Sequence, residues 1–293
     1  MINYNIVKDL LMMSMIIYNY GKQIDAIKNE SSYNDYMNSI LTNREYLKKL
    51  NISETRKNVL MQIANDNKLN TNRIFYFIDD KKTDLQACIT YNTKYNRICV
   101  IFRGSESISD WYYDFQIKKY NLKDNIYIHS GFYNQLFDSN IYKKLVIEIK
   151  KVMNMYPSYA IYITGHSLGG ALATLFGYLL SYEIENMIKI VSFASPRVGN
   201  YHWKKSFNKK INLHHYRVTN NHDIVTAFPY FNYYHVGNNI RLSNNSIKLY
   251  PNDNSKLHFT LLNCWSIKAH DCDLYYSNLV KNKWIISNDD RID

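Results

Sequence analysis

The chain has 293 residues, 46% of them hydrophobic and 21% charged, with a formal net charge of +11 at neutral pH. That length supports a sizeable core, and that composition excludes wholesale disorder. Lys and Arg are scattered, and pairs such as Lys48-Lys49 and Lys209-Lys210 are too short to form a nucleic-acid arm, so no nucleic-acid partner is expected. The diffuse charge instead favours anionic surfaces, anionic lipid among them.

Four cysteines (Cys88, Cys99, Cys264, Cys272) are too few for a disulfide framework, and no pair has metal-ligand spacing. Free thiols are the default, with a Cys264–Cys272 loop left open. No metal and no cofactor are expected. Enrichment in Asn, Ile, Lys and Tyr follows A- and T-rich codons; a large DNA virus or an A/T-rich protist would fit as the source.

In chain order, Ile6, Leu10, Met13 and Ile17 share one face of a helix running from about Asn3 to Tyr20. Asp9 beside the apolar run, and the lack of an A-x-A-like site after it, favour a packed helix over a cleaved signal. That favours an intracellular location and leaves the compartment open. No stretch is long and apolar enough to span a membrane. Residues 21–52 read as a polar surface excursion. Ser53 or Thr55 caps a helix to about Asn65, with Val59, Leu60 and Ile63 inward. Arg73–Ile78 and Leu85–Tyr91 read as strands joined by a polar return.

Asn96–Phe102 is a near-continuous apolar strand, hence central in a sheet. It runs into Arg103-Gly104-Ser105 and then an amphipathic segment carrying Ile108, Trp111, Tyr112 and Phe115. Tyr127–Phe132 reads as extended, and Asp138 as the cap of a helix through Met155. Ile161–Thr164 is a buried strand, followed by Gly165-His166-Ser167-Leu168-Gly169 and a helix of small and apolar residues. Ile188–Ala194, Leu213–Thr219, Tyr233–Leu242 and Ser246–Tyr250 read as strands, and Asp273–Val280 as a closing helix. Strands alternating with helices predict a mostly parallel α/β sheet. No repeat or linker divides the chain, so one domain over residues 1–293 is expected.

Strand, G-x-S-x-G, helix is the context of a nucleophile elbow. A serine hydroxyl needs a base, and the base needs an orienting acid, in the chain order Ser, then Asp or Glu, then His. Asp223, at a strand's carboxyl end, outranks Glu183, Glu185 and Asp253 as that acid. Among later histidines, His235 sits inside a strand pattern; His270 ranks above His258 by its loop position, with His258 remaining open. His166 points away from the serine, and His222 comes in the wrong order. Oxyanion donors are expected from the Leu168 N–H and from the loop at Gly104-Ser105.

Together these motifs resemble the class 3, fungal-type lipases of the α/β-hydrolase superfamily. The similar blocks, in order, are FRGSESISDWYYDF, YIHSGF, ITGHSLGGALA, FASPRVGN, NNHDIV and YYHVG. The resemblance covers about Ile98 to Gly237 and the surroundings of His270. It implies an α/β-hydrolase fold with helices on both sheet faces, Ser167 as nucleophile, Asp223 as orienting acid and His270 as base. It assigns Ser105 and Leu168 to an oxyanion hole, and Ile108, Trp111, Tyr112 and Phe115 to a lid that opens at a lipid surface. The sequence from His270 to Tyr275 is similar to the family's H-x4-Y variant. Thr226 stands where a proline is common, and the disulfides of secreted fungal members have no counterpart in this cysteine pattern. The implied activity is acyl-ester hydrolysis on lipid at a membrane or emulsion interface, as a triacylglycerol lipase or a phospholipase A1. An acyltransferase with the same residues, or an inactive lipid-surface binder, are the alternatives.

Overall fold

The computed structural model describes residues 2–20, 53–68, 72–105, 118–251 and 266–284. The excursion at 21–52, the four lid residues, Asp253, His258 and Cys264 lie outside them. Eight strands form one sheet in the order β1-β2-β3-β6-β7-β8-β9-β10. They are β1 (Asn72–Asp80), β2 (Leu85–Asn92), β3 (Arg97–Phe102), β6 (Ala160–His166), β7 (Ile188–Phe193), β8 (Leu213–Asn220), β9 (Asn238–Leu242) and β10 (Ile247–Tyr250). From β3 to β9 the neighbours are parallel, and antiparallel pairing flanks them on both sides.

Period-two alternation divides the strand residues between two cores. In β3, Ile98, Val100 and Phe102 face one side, while Cys99 and Ile101 face the other. The second face is covered by helix α1 (Tyr4–Tyr20) and helix α7 (Cys272–Lys281). Val7, Leu10, Leu11, Met15 and Ile17 of α1 are fully buried there. Burial of each such side chain stabilises the fold by about 1.5–3 kcal/mol. Two polar contacts fix how α1 lies on the sheet. Ser14 Oγ donates to Leu10 O at 2.9 Å and lies 3.2 Å from Thr164 Oγ1. Asp9 pairs with the buried Arg97 at 3.4 Å.

The first face carries helices α3 (Ser130–Phe137), α4 (Ile141–Met155) and α5 (Leu168–Leu180). Helix α2 (Glu54–Lys68) is capped as expected, Ser53 Oγ accepting from Arg56 N at 3.1 Å. Cys88, Cys99 and Cys272 are buried free thiols.

Several boundaries differ from the sequence reading. Extended structure ends at His129, the last residue of β5 (Ile126–His129), and α3 starts at Ser130. Phe132 and Leu136 lie one helical turn apart, and both bury in the core. Asp138 therefore closes α3, and Asn140, in the left-handed region at φ 55°, precedes α4. Two elements were not anticipated. Strand β4 (Lys119–Lys123) pairs with β5 outside the main sheet. Helix α6 (Tyr201–Asn208) begins where Asn200 Oδ1 accepts from Trp203 N at 2.9 Å, and it buries Trp203 and Phe207. The strand expected from Tyr233 starts only at Asn238, after Gly237 at φ 71°. A Cβ at Gly237 would lie 2.5 Å from His215 O, so the chain must turn there with no side chain.

Candidate active site

The centre of the site is the turn between β6 and α5. Ser167 holds φ 58° and ψ −128°, a conformation that costs a non-glycine residue about 1–3 kcal/mol. The surrounding packing enforces it. Ser167 N donates to Phe193 O at 2.9 Å, and the chain crosses itself so closely that a Cβ on Gly165 would meet Gly169 O at 2.3 Å. Ser167 is thereby held at the carboxyl edge of the sheet, with Leu168 opening α5. The first N–H groups of a helix have no intrahelical acceptor and carry partial positive charge, which suits a developing oxyanion.

The loop after β3 lies against this turn. A Cβ on Gly104 would sit 2.5 Å from His166 O and 3.2 Å from Ser167 Cβ. The next residue, Ser105, is half-buried.

Asp223 follows β8 and is fully buried. Its carboxylate accepts from three directions: His270 Nδ1 at 3.0 Å to both oxygens, Tyr275 OH at 2.6 Å and Val225 N at 3.0 Å. Tyr275 in turn accepts from Asn220 N at 2.8 Å. Burial, followed by the Asp223 charge, pushes the Tyr275 hydroxyl well above its ordinary range, so it remains a donor. Thr226, at the position of the expected proline, donates its hydroxyl to Asp223 O at 2.8 Å and tightens the same loop.

His270 ends a 3-10 turn, Lys268–His270, just ahead of α7. With Nδ1–H given to Asp223, the lone pair lies on Nε2. That atom is buried and has no hydrogen-bond partner among the described residues. The turn is tied to β8 by Asn220 Nδ2 donating to Ala269 O at 3.0 Å and by Ser266 N donating to His222 O at 2.9 Å.

His166, set aside in the sequence reading, lies beneath the elbow and touches His270. Its Nε2 donates to His270 O at 2.9 Å, and the two rings are 4.7 Å apart between centroids. A carbonyl only accepts, so Nε2 carries the hydrogen and Nδ1 accepts from Tyr18 OH at 3.0 Å. Tyr18 comes from α1, and nothing local in the sequence links it to the elbow. Of the other histidines, His235 bonds Thr226 O at 2.7 Å and His222 is paired with Asn221. Glu183 pairs with Lys150 at the surface.

Burial, with the neighbouring His270, holds His166 well below the usual histidine range; burial and Arg217 do the same to His215, which bonds Ser192 Oγ at 2.9 Å. In the unfolded chain both protonate near pH 6.5, so below that value the unfolded state binds more protons than the folded one. Their contribution to stability is present above pH 6.5 and is lost as pH falls, at about 1.4 kcal/mol per unit for each until its folded value is reached. Urea midpoints are expected to drop between pH 7.5 and 5.5 and to drop less in a His215→Asn variant; equal midpoints in the parent chain would refute this.

Among the described residues, no cluster of His, Cys, Asp and Glu could hold a metal ion, and no helix is long and apolar enough to cross a membrane. A mostly parallel sheet with a serine elbow, and an Asp–His pair carried beyond its later strands, defines an α/β-hydrolase fold. Residues 99–233 match the family model Lipase (class 3). It is 31% identical over 191 residues to a secreted mono- and diacylglycerol lipase A of Penicillium cyclopium, covering 60% of this chain and 61% of that protein. It is 29% identical over 171 residues to a phospholipase A1-II 1 of Oryza sativa, covering 50% and 42%. The chain thus matches less than two thirds of the length of these relatives. Its fold is similar to that of the native Rhizomucor miehei lipase propeptide complex, with TM-score 0.64, 21% identity and coverage of 88% and 83%.

Proposed function

We propose that this protein hydrolyses carboxylic ester bonds of lipids through an acyl-enzyme on Ser167. The observation that carries this reading is the buried Asp223–His270 pair, whose bond at His270 Nδ1 leaves the buried Nε2 with no hydrogen-bond partner among the described residues. In the first half-reaction Ser167 Oγ attacks the ester carbonyl and its proton passes to His270 Nε2. The carbonyl π bond becomes an oxyanion, received by the Leu168 N–H and by Ser105. Collapse breaks the bond to the alcohol oxygen, which leaves with the proton from His270. In the second half-reaction water attacks the acyl-serine, gives its proton to His270 Nε2, and the acid departs as Ser167 recovers it. Asp223 stays ionised throughout and stabilises the imidazolium.

The similarity to a mono- and diacylglycerol lipase and to a phospholipase A1 supports glycerolipid as the substrate class. The lid role that the resemblance assigns to Ile108, Trp111, Tyr112 and Phe115 is part of this proposal, and a lipid surface would favour its opening. Such opening in water exposes apolar groups at roughly 25 cal/mol per Å². Purified protein assayed on emulsified triacylglycerol, phosphatidylcholine and a short-chain ester carried across its solubility limit is the test. The rate should rise sharply once the ester forms a separate phase. No hydrolysis of any ester would overturn the reading, and a smooth hyperbola through the limit would remove the lid from it.

A further inference from the structure

The loop that follows Asp223 presents an aromatic tip to solvent. Phe231 is 76% exposed, a costly position for a phenyl ring that touches water on most of its surface. The loop behind it is pinned. The buried Arg197 guanidinium donates to Pro229 O at 3.2 Å and Tyr230 O at 3.4 Å, and Arg197 N donates to Phe228 O at 2.7 Å. On the far side, Tyr234 N donates to Gly199 O at 2.7 Å. Phe231 is therefore held outward by a braced turn. The same loop carries the exposed Tyr234, which makes edge contact at 5.7 Å with the exposed Tyr201 at the start of α6.

Two lysines lie in the same neighbourhood. Lys119 Nζ is 5.0 Å from the ring centre of the buried Tyr233, next in sequence to Tyr234, and Lys205 Nζ is 5.8 Å from that of the exposed Tyr201. The wider segment is unbalanced in the same sense. Residues 186–250 contain nine Lys or Arg and one acid, Asp223, which is buried. Aromatic rings with lysines around them suit the boundary between water and lipid, where the ring enters the headgroup layer and the ammonium meets phosphate.

We propose that Phe231, Tyr234 and Tyr201, with Lys119 and Lys205, form a docking surface for anionic lipid interfaces. It would seat the carboxyl edge of the sheet, and with it the serine elbow, against the lipid. This rests on the hydrolase reading for its purpose, though binding can be measured without turnover.

The experiment is co-sedimentation of the full chain with vesicles of non-hydrolysable ether lipids, phosphatidylcholine alone or mixed with phosphatidylglycerol. The unmodified protein should partition more strongly onto the mixed vesicles, and less so as salt rises. Phe231→Ser should weaken partition onto the mixed vesicles about ten-fold. Lys119→Gln and Lys205→Gln should each weaken it about five-fold on the mixed vesicles and leave neutral ones unaffected. Cleavage of a short-chain ester dissolved as monomer should be unchanged in all three variants. Equal partition of Phe231→Ser and the parent chain overturns the proposal, as does failure of the parent chain to bind the mixed vesicles. Self-association that Phe231→Ser abolishes overturns it in favour of a second copy on this face. Loss of monomeric-ester cleavage in Phe231→Ser counts against it too, because the ring would then support the site and not the surface. Should the parent chain bind vesicles but cleave no ester, the hydrolase reading fails while the docking surface stands.

Discussion

Ser167→Ala is expected to abolish labelling by an organophosphonate ester and to lower kcat by about 10⁶-fold, with His270→Ala costing nearly as much. The two losses should not add, because the hydroxyl without a base, or the base without a hydroxyl, yields the same idle site. Alanine relieves nothing in the backbone, since φ 58° at this position is imposed by the crossing at Gly165 and Gly169. The fold should therefore persist, and an unchanged urea midpoint would show that chemistry alone was lost. Intact-mass measurement after phosphonate treatment gives the clearest readout. A stoichiometric adduct on the parent chain and none on Ser167→Ala is the expected result. An adduct of undiminished yield on the variant would place the nucleophile elsewhere.

The second large effect is expected from Asp223→Asn, at about 10⁴-fold in kcat. The geometry supplies the reason. The carboxylate accepts from Val225 N, Tyr275 OH and His270 Nδ1, and it donates nothing. An asparagine that keeps its oxygen on the Val225 N–H must turn its NH₂ toward His270 Nδ1 and Tyr275. Nδ1 can then only accept, so the imidazole hydrogen moves to Nε2, the atom that must take the proton from Ser167. The ring is held in the wrong tautomer. Measured kcat and phosphonate labelling should fall together in Asp223→Asn while near-ultraviolet circular dichroism stays native-like. A variant retaining a tenth or more of the parental kcat would remove Asp223 from the acid's role.

Most of the parallel strands were legible because their apolar runs alternate faces in a way only a sheet buried on both sides requires; Ile98 to Phe102 is the clearest case. The elbow was legible because a chain crossing within 2.3 Å of a virtual Cβ admits only glycine, and the sequence must spell that out locally. Asp223 and His270 were legible as candidates through chain order and resemblance. Less visible were the segments whose state depends on partners far along the chain. The residues after His129 carry the same apolar, aromatic content in a strand or a helix; they coil because Phe132 and Leu136 find a core on one helical face. Trp203 and Phe207 likewise define α6 only once a cavity exists to receive them.

The sequence by itself determined that this chain makes a mostly parallel α/β sheet with a serine at a glycine-framed turn, because strand periodicity and close backbone crossing are local demands on residue type. It also narrowed the polar companions of that serine to a few ordered candidates. Only the tertiary structure decided which of these meet. It brought His270 onto Asp223 across 47 residues and put Tyr275 on the same carboxylate. It set Tyr18 against His166 across 148 residues, so that the first helix supports the turn beneath His270. Such contacts satisfy buried polar atoms, and a buried atom can take its partner from any part of the chain that packing brings within hydrogen-bond reach.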